Sequence, residues 1–496
     1  MAWPVALVLL VSLWAGIVAA QDDPMPIFTR TAPVGPVIEA RGAGAPVLDI
    51  GDCVEEAIAA NDLLAAERIR MDELDGQMKQ ALSTGLPTLD LVGDWSRSRD
   101  PSFALDSTFG GDSGGLGPPD GAPEWFEEWL GGFGSFIPEA GAIPAQSFLR
   151  TSLNLNWEIN PLKISGAVGA AKLGIQRQEL AIQSVEHQTS ESTVAAYFSI
   201  VKAAEKIQAV RAQLANQTEL LNIMKMRYEL GVATRLDTLQ AAVTLANIRP
   251  QLLIAEANLR NEGARLNALM GRRPETPLSI QNFQPVESDP LVDAKALEMA
   301  QNRPDLMVTQ TFTDILRKNR KAQISDNRPY LTLGGAYGYV GKTFDTMFDD
   351  GHDSWRASVA LNIPLFDGML TRGLVAETEG QIRRTETELT GQRRLVQVEV
   401  LELLANLRMA REVLSAVVLN LERSEEVLEE SLLMLQMGKI NYLDVLVSEA
   451  NRAEAQSNVI DARYEVLAIT ASLKRALGWS PLLALTDIPG LVAEVN

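Results

Sequence analysis

The chain has 496 residues, of which 44 are basic and 64 acidic; its formal charge is −20, yet 46% of residues are hydrophobic and mean hydropathy is +0.00. This acidic balance argues against nucleic acid as a partner, because phosphate binding needs a basic face. The single cysteine, Cys53, excludes an intramolecular disulfide and a Cys-cluster zinc site, and two histidines, His187 and His352, are too few for a His-rich centre. No catalytic residue, metal ligand or cofactor is assigned.

Residues 1–20 are uncharged and almost wholly apolar, and end in Val18-Ala19-Ala20 before polar Gln21-Asp22-Asp23. This reads as a cleaved secretory signal. No Lys or Arg precedes the apolar run, so an uncleaved anchor is the other reading. Residues 21–47, rich in Pro, Gly and Ala, read as an extended N-terminal linker. No later segment reaches the ~18 apolar residues of a transmembrane helix.

The rest of the chain is a tandem duplication with a constant offset of 207 between residues 231–274 and 438–481. Gly231 matches Gly438, Leu236 matches Leu443, Asp237 matches Asp444, Gly271 matches Gly478 and Pro274 matches Pro481. The first repeat is placed at 49–285, the second at 290–490, and a tail at 491–496. In the first repeat, strands are expected over about 86–97 and 147–159, and long helices over about 166–230 and 236–270. In the second, strands fall at about 329–341 and 354–366, and long helices at about 371–437 and 443–477.

Each strand alternates. Leu149, Thr151, Leu153, Leu155 and Trp157 oppose Arg150, Ser152, Asn154, Asn156 and Glu158; Trp355, Ala357, Val359, Leu361 and Ile363 oppose Arg356, Ser358, Ala360 and Asn362. Such strands suit a transmembrane barrel wall with a wet lumen, and equally a soluble half-buried sheet. The helices favour the former. Val400, Leu407, Leu414, Leu421, Leu428 and Leu435 recur every seven residues, as do Ile200, Ile207, Leu214, Leu221 and Tyr228. A strict heptad implies left-handed coiled-coil packing. At 1.5 Å per residue the longer helices reach roughly 100 Å. Pro250 is expected to kink the helix that follows Gly231. Four strands cannot close a membrane barrel, whose minimum is about eight, and open edges are forbidden in lipid. Membrane strands of this kind therefore require several copies of the chain.

The repeat resembles the TolC-like outer membrane efflux proteins. The resemblance rests on Asn302-Arg303-Pro304-Asp305-Leu306, Pro364-Leu365-Phe366-Asp367-Gly368, Tyr228-Glu229-Leu230-Gly231, the two Gly-to-Leu-Asp segments and the endings at Gly271 and Gly478. It implies a mixed α and β fold. Two β-hairpins would contribute four strands to an intermolecular transmembrane β-barrel, and long coiled-coil helices would form a periplasmic α-helical tube. It also implies a homotrimer in the outer membrane lipid, working with a periplasmic adaptor and an inner-membrane RND or ABC transporter, and no enzyme activity. Three chains at −20 would carry about −60.

The resemblance also implies site roles. The turns at Gly231, Val232, Gly438 and Lys439 would contact the adaptor, and Gly231 and Gly438 also suit a helix-ending positive φ. Asp237 and Asp444 would ring the periplasmic entrance, with Arg235, Lys439 and Tyr228 beside them. Thr234-x-x-Asp237 and Asn441-x-x-Asp444 fit helix capping equally well. An arginine latch would fall at Ile440 and a second acid at Val447, so Asp237–Lys439 or Asp444–Arg235 pairs are the substitute. Met224, Met226, Met434 and Met437 fit seam packing better than metal ligation. The insertion at about 99–146, with Trp125, Phe126, Trp129 and Phe133, would be extracellular; it fits loop packing, a membrane contact or a cover over the mouth. The competing function is a secreted structural coiled-coil protein with a soluble sheet.

Overall fold

The computed structural model describes residues 37–41, 47–98, 123–126, 128, 145–282 and 293–480. The expected signal at 1–20, most of the 21–47 segment, the bulk of the 99–146 insertion (with Trp129 and Phe133) and the 491–496 tail lie outside the described residues. In the insertion, Trp125 and Phe126 meet edge to face at 5.8 Å. Two compact units form, and each draws on both sequence repeats.

One unit takes the described residues of Met1–Ala65, Val185–Ala300 and Val398–Asn496. Its small sheet joins β1 (Val37–Arg41), β2 (Val47–Leu48) and β5 (Leu278–Gln281), with β5 central, antiparallel to β1 and parallel to β2. Helix α1 (Ile50–Ala60) starts on a capping box, in which Asp49 and Asp52 each accept the other's backbone N–H. Cys53, Val54, Tyr197, Ile200, Leu266, Leu278 and Ile280 form one core. The Tyr197 hydroxyl donates to the Gln281 carbonyl and so ties a helix to the sheet. Burial pushes the Cys53 thiol up to about 12, which makes it an inert core group.

The other unit comprises Ala66–Ser184 and Gln301–Gln397. It holds most of α2 (Asp62–Ser83), strands β3 (Thr88–Ser98) and β4 (Gln146–Ile159), helix α6 (Pro304–Ser325), and strands β6 (Tyr330–Gly341) and β7 (Asp353–Asn362). The four strands form an antiparallel sheet in the order β3-β4-β6-β7. Strand β7 ends at Asn362 rather than near 366, because Pro364 brings no N–H to a ladder.

Two long helices contribute to both units: α3 (Pro161–Glu229), with 69 residues, and α7 (Leu370–Gln436), with 67. Helix α3 begins five residues before the expected 166. There Pro161 fills the first turn, which needs no donor, and Asn160 Oδ1 accepts from Lys163 N at 3.2 Å. Helices α4 (Arg235–Leu269) and α8 (Tyr442–Ala476) follow the two turns; a short α5 (Asp293–Met299) lies between the repeats. Helix α4 runs on through Pro250 without a break. Among the described residues no helix is long and apolar enough to cross a membrane.

The heptad positions are buried as coiled-coil packing requires. Ile200, Ile207, Leu221, Val400, Leu407 and Leu435 are all buried, and Leu214, Leu414, Leu421 and Leu428 are half-buried. The repeated Asn motifs start helices. Asn61 Oδ1 accepts from Leu64 N, and Arg303 grips Asp305 through two guanidinium nitrogens at 3.1 and 2.8 Å while Pro304 opens α6.

Helix α3 approaches α6 closely at Gly166. A Cβ there would stand 2.8 Å from the Ala322 backbone nitrogen, whereas one on Gly76 in α2 would meet nothing. Gly166→Ala is expected to lower the thermal midpoint, by about 1–3 kcal/mol of overpacking. Gly76→Ala should raise it slightly, by about 0.5–1 kcal/mol of helix propensity. Circular dichroism melts of detergent-solubilised protein check both; equal effects would remove the close-approach explanation.

Candidate functional site

The turns at the ends of α3 and α7 are built alike. Gly231 and Gly438 have φ of +76° and +69°. Val232 N donates to Arg227 O at 2.9 Å, and Lys439 N to Met434 O at 2.9 Å. These six-to-one bonds close Schellman caps, in which glycine takes the left-handed position at no steric cost. No atom lies within 4 Å of where a Cβ would stand on either glycine, so both turns are bare on their outer side. Tyr228, Leu230, Val232, Leu236 and Lys439 are exposed. Tyr228 is the last heptad position, and there the seam comes out of the core.

Both acids cap helices. Asp237 Oδ2 accepts from the Thr234 backbone N and hydroxyl, both at 2.8 Å, and Thr234 Oγ1 accepts from Asp237 N at 3.2 Å. Asp444 and Asn441 repeat the box at 3.2 and 3.1 Å. Among the described residues no ion pair joins Asp237 to Lys439 or Asp444 to Arg235 within the chain; Asp444, Arg235 and Lys439 stay exposed. Beneath the turns, Leu220, Leu221, Met224, Ala241, Leu245, Leu435, Tyr442 and Val445 form a compact core, so Met224 is a packing residue.

The four-stranded sheet has two unlike faces in a register that aligns them across all strands. One row runs Leu91, Leu153, Tyr337 and Trp355, and another runs Leu89, Leu155, Gly335 and Ala357. The opposite face carries Asp90, Asn154, Ala336 and Arg356 in one row, and Asp94 opposite Arg150 in another. A soluble sheet of this pattern covers its apolar face with a second layer. Here Leu91 is 77% exposed, Trp355 74% and Val359 74%. Among the described residues, β3 and β7 each pair on one side only, which leaves two open edges.

The chain matches the outer membrane efflux protein family over residues 144–272 and 297–479, more than half its length. It belongs to that family. It is similar to the outer membrane protein TolC of Vibrio cholerae, at 23% identity over 57% of this chain and 66% of that protein. It is also similar to the outer membrane efflux protein BepC of Brucella suis, at 23% identity over 70% and 76%. Among solved structures, the outer membrane protein VceC of Vibrio cholerae shares its fold with a TM-score of 0.67, covering 87% of this chain and 96% of that one at 19% identity. The family is one of outer membrane channels, not of enzymes.

The family resemblance does not point to a buried polar layer just inside the second turn. The Tyr442 hydroxyl accepts from Gln217 Nε2 at 2.8 Å, and Gln217 is fully buried. Seven residues further along α8, Glu449 is 4% exposed and lies 3.6 Å from Arg452. The signal was present: Gln217 sits three residues after Leu214 and four before Leu221, a seam position where a polar residue is unexpected. Burial pushes the Glu449 carboxyl above the usual range, against the pull of Arg452 and Asn216.

The folded chain therefore holds the Glu449 proton more tightly than the unfolded chain. Its contribution to stability is complete below the ordinary carboxyl value of 4.5 and is lost as pH rises through the raised one. Glu449→Gln should flatten the pH dependence of the thermal midpoint above about pH 4.5, with wild type losing ground to the variant as pH rises. Parallel profiles for the two proteins would contradict the assignment.

Proposed function

We propose that three copies of this chain form a passive export duct in the outer membrane, each donating its four strands to a twelve-stranded barrel. The observation that carries this reading is the open sheet, whose apolar face is exposed and whose two edges lack partners among the described residues. Strands of 10 to 14 residues match the ~9–11 needed to cross a bilayer at a tilt. Closing the sheet through neighbouring copies supplies partners for both edges, as lipid demands. The face carrying Asp90, Asp94, Arg150 and Arg356 would line a wet lumen, and the rows of Leu, Trp and Tyr would face lipid.

In this reading the helices form a periplasmic tube that docks on an adaptor and, through it, on an inner-membrane RND or ABC pump. The turns at Gly231, Val232, Gly438 and Lys439 are the docking points, supported by their bare backbone and exposed apolar neighbours. Asp237 and Asp444 give six carboxylates at the entrance, a ring that concentrates cations. Tyr228, Arg235 and Lys439 border it. Because Asp444 also caps α8, charge and cap must be separated by experiment.

In detergent, size measurement should give three times the protomer mass; a monomer would defeat the barrel. In planar bilayers, Asp444→Ala should raise single-channel conductance and weaken divalent-cation block. Asn441→Ala removes the cap, at about 1 kcal/mol, but keeps the carboxylate, and should leave the block intact. Equal effects from both variants would assign Asp444 to capping alone.

A further inference from the structure

A basic cluster lies next to the membrane-type sheet. Residues 314–328 hold five cations (Arg317, Lys318, Arg320, Lys321 and Arg328) against two acids (Asp314 and Asp326), a local surplus in a chain of net −20. Arg317, Arg320, Lys321 and Arg328, with Leu162 and Ile324, line a cavity of ≈ 300 Å³, at the small end of the ~300–1,000 Å³ typical of ligand sites. Leu162 follows the last residue of β4 by three positions, and Arg328 precedes the first of β6 by two. The cavity therefore opens where the strands meet the helices.

The four cations differ. Arg317 is held by Asp314 and Glu386, both at 2.7 Å, and Arg320 by Glu379 at 2.9 Å. Among the described residues Lys321 and Arg328 have no acidic partner, and the Arg320 Nε is buried without an acceptor. Two guanidinium groups are thus fixed in place beside two uncompensated charges. The cavity also has a definite side. Lys163 joins Asp326 at 3.3 Å and Glu158 at 3.5 Å, and Glu158 stands on the polar sheet face. Asp326 thus marks that side of α6. Lys321, five residues earlier, lies roughly 140° round the helix from it, away from the Lys163 pair, and Leu162 and Ile324 flank the cavity with apolar side chains.

We propose that this cavity binds the phosphate headgroup of an anionic phospholipid from the periplasmic leaflet, with Lys321 and Arg328 supplying the charge and Leu162 and Ile324 contacting the upper acyl chain. Guanidinium groups suit phosphate oxygens geometrically. Basic side chains at a bilayer surface attract anionic lipid. A free phosphate ion would use the same cations but not the apolar flanks. This inference rests on the reading that β3, β4, β6 and β7 cross the membrane.

Native mass spectrometry of the detergent-purified full chain, titrated with phosphatidylglycerol, phosphatidylcholine or inorganic phosphate, tests it. Wild type should retain phosphatidylglycerol in preference to phosphatidylcholine, with millimolar phosphate a poor competitor. The double variant Lys321→Ala/Arg328→Ala should lose roughly tenfold or more of that retention while keeping its oligomeric size and conductance. Among the described residues neither side chain holds an ion pair, so the variant is expected to fold. Unchanged retention in the variant would overturn the proposal, as would equal binding of both lipids. Full displacement by inorganic phosphate would reassign the cavity to the free ion. A wild type that is monomeric and does not conduct would overturn the export-duct reading instead.

Discussion

The backbone hydrogen bonds of β3 and β7 govern the rest of this molecule. Among the described residues each strand pairs on one side and presents unpaired N–H and C=O groups on the other. In water such edges are a liability; in a bilayer each unsatisfied group costs several kcal/mol. The exposed apolar face beside those edges calls for lipid. Pairing with further strands meets both demands at once, and in the proposed duct those strands come from other copies of the chain. The heptad helices show the same imbalance: their seams bury one stripe and leave apolar positions such as Val413 and Leu419 exposed.

Elements with long-range periodicity were legible in the sequence. The alternation of Leu149 to Trp157 and the seven-residue spacing of Val400 to Leu435 each recur often enough to outweigh local noise, and the 207-residue offset doubles the evidence. The helix ends were legible because glycine at a left-handed position and Asn or Thr three residues before Asp are direct chemical requirements. Helix α4 continues through Pro250 without a break. The carbonyl that loses its donor belongs to Ala246, which is exposed and so open to water.

The small sheet of β1, β5 and β2 was not legible. Its strands have five, four and two residues, too few for a period, and β1 lies in a stretch whose Pro and Gly content suggests a linker. Its partners are far apart in sequence, and only the tertiary core containing Tyr197, Leu278 and Ile280 selects the pairing. The polar layer of Gln217, Tyr442, Glu449 and Arg452 was hidden for another reason. Duplication draws attention to what the two copies share, and these residues are among those that differ.

The difference has a consequence for how the two hairpins can move. Gly231 and Gly438 close the same cap, but beyond them the copies diverge: Tyr442 stands where the first copy has Arg235, Glu449 where it has Ala242, and Arg452 where it has Leu245. The Gln217–Tyr442 bond joins α3 of the first hairpin to α8 of the second, and the half-satisfied Glu449–Arg452 pair lies on α8; α4, the ascending helix of the first hairpin, carries a proline instead. A bond shared between the two hairpins couples them, so that at this layer one cannot shift without loading the other.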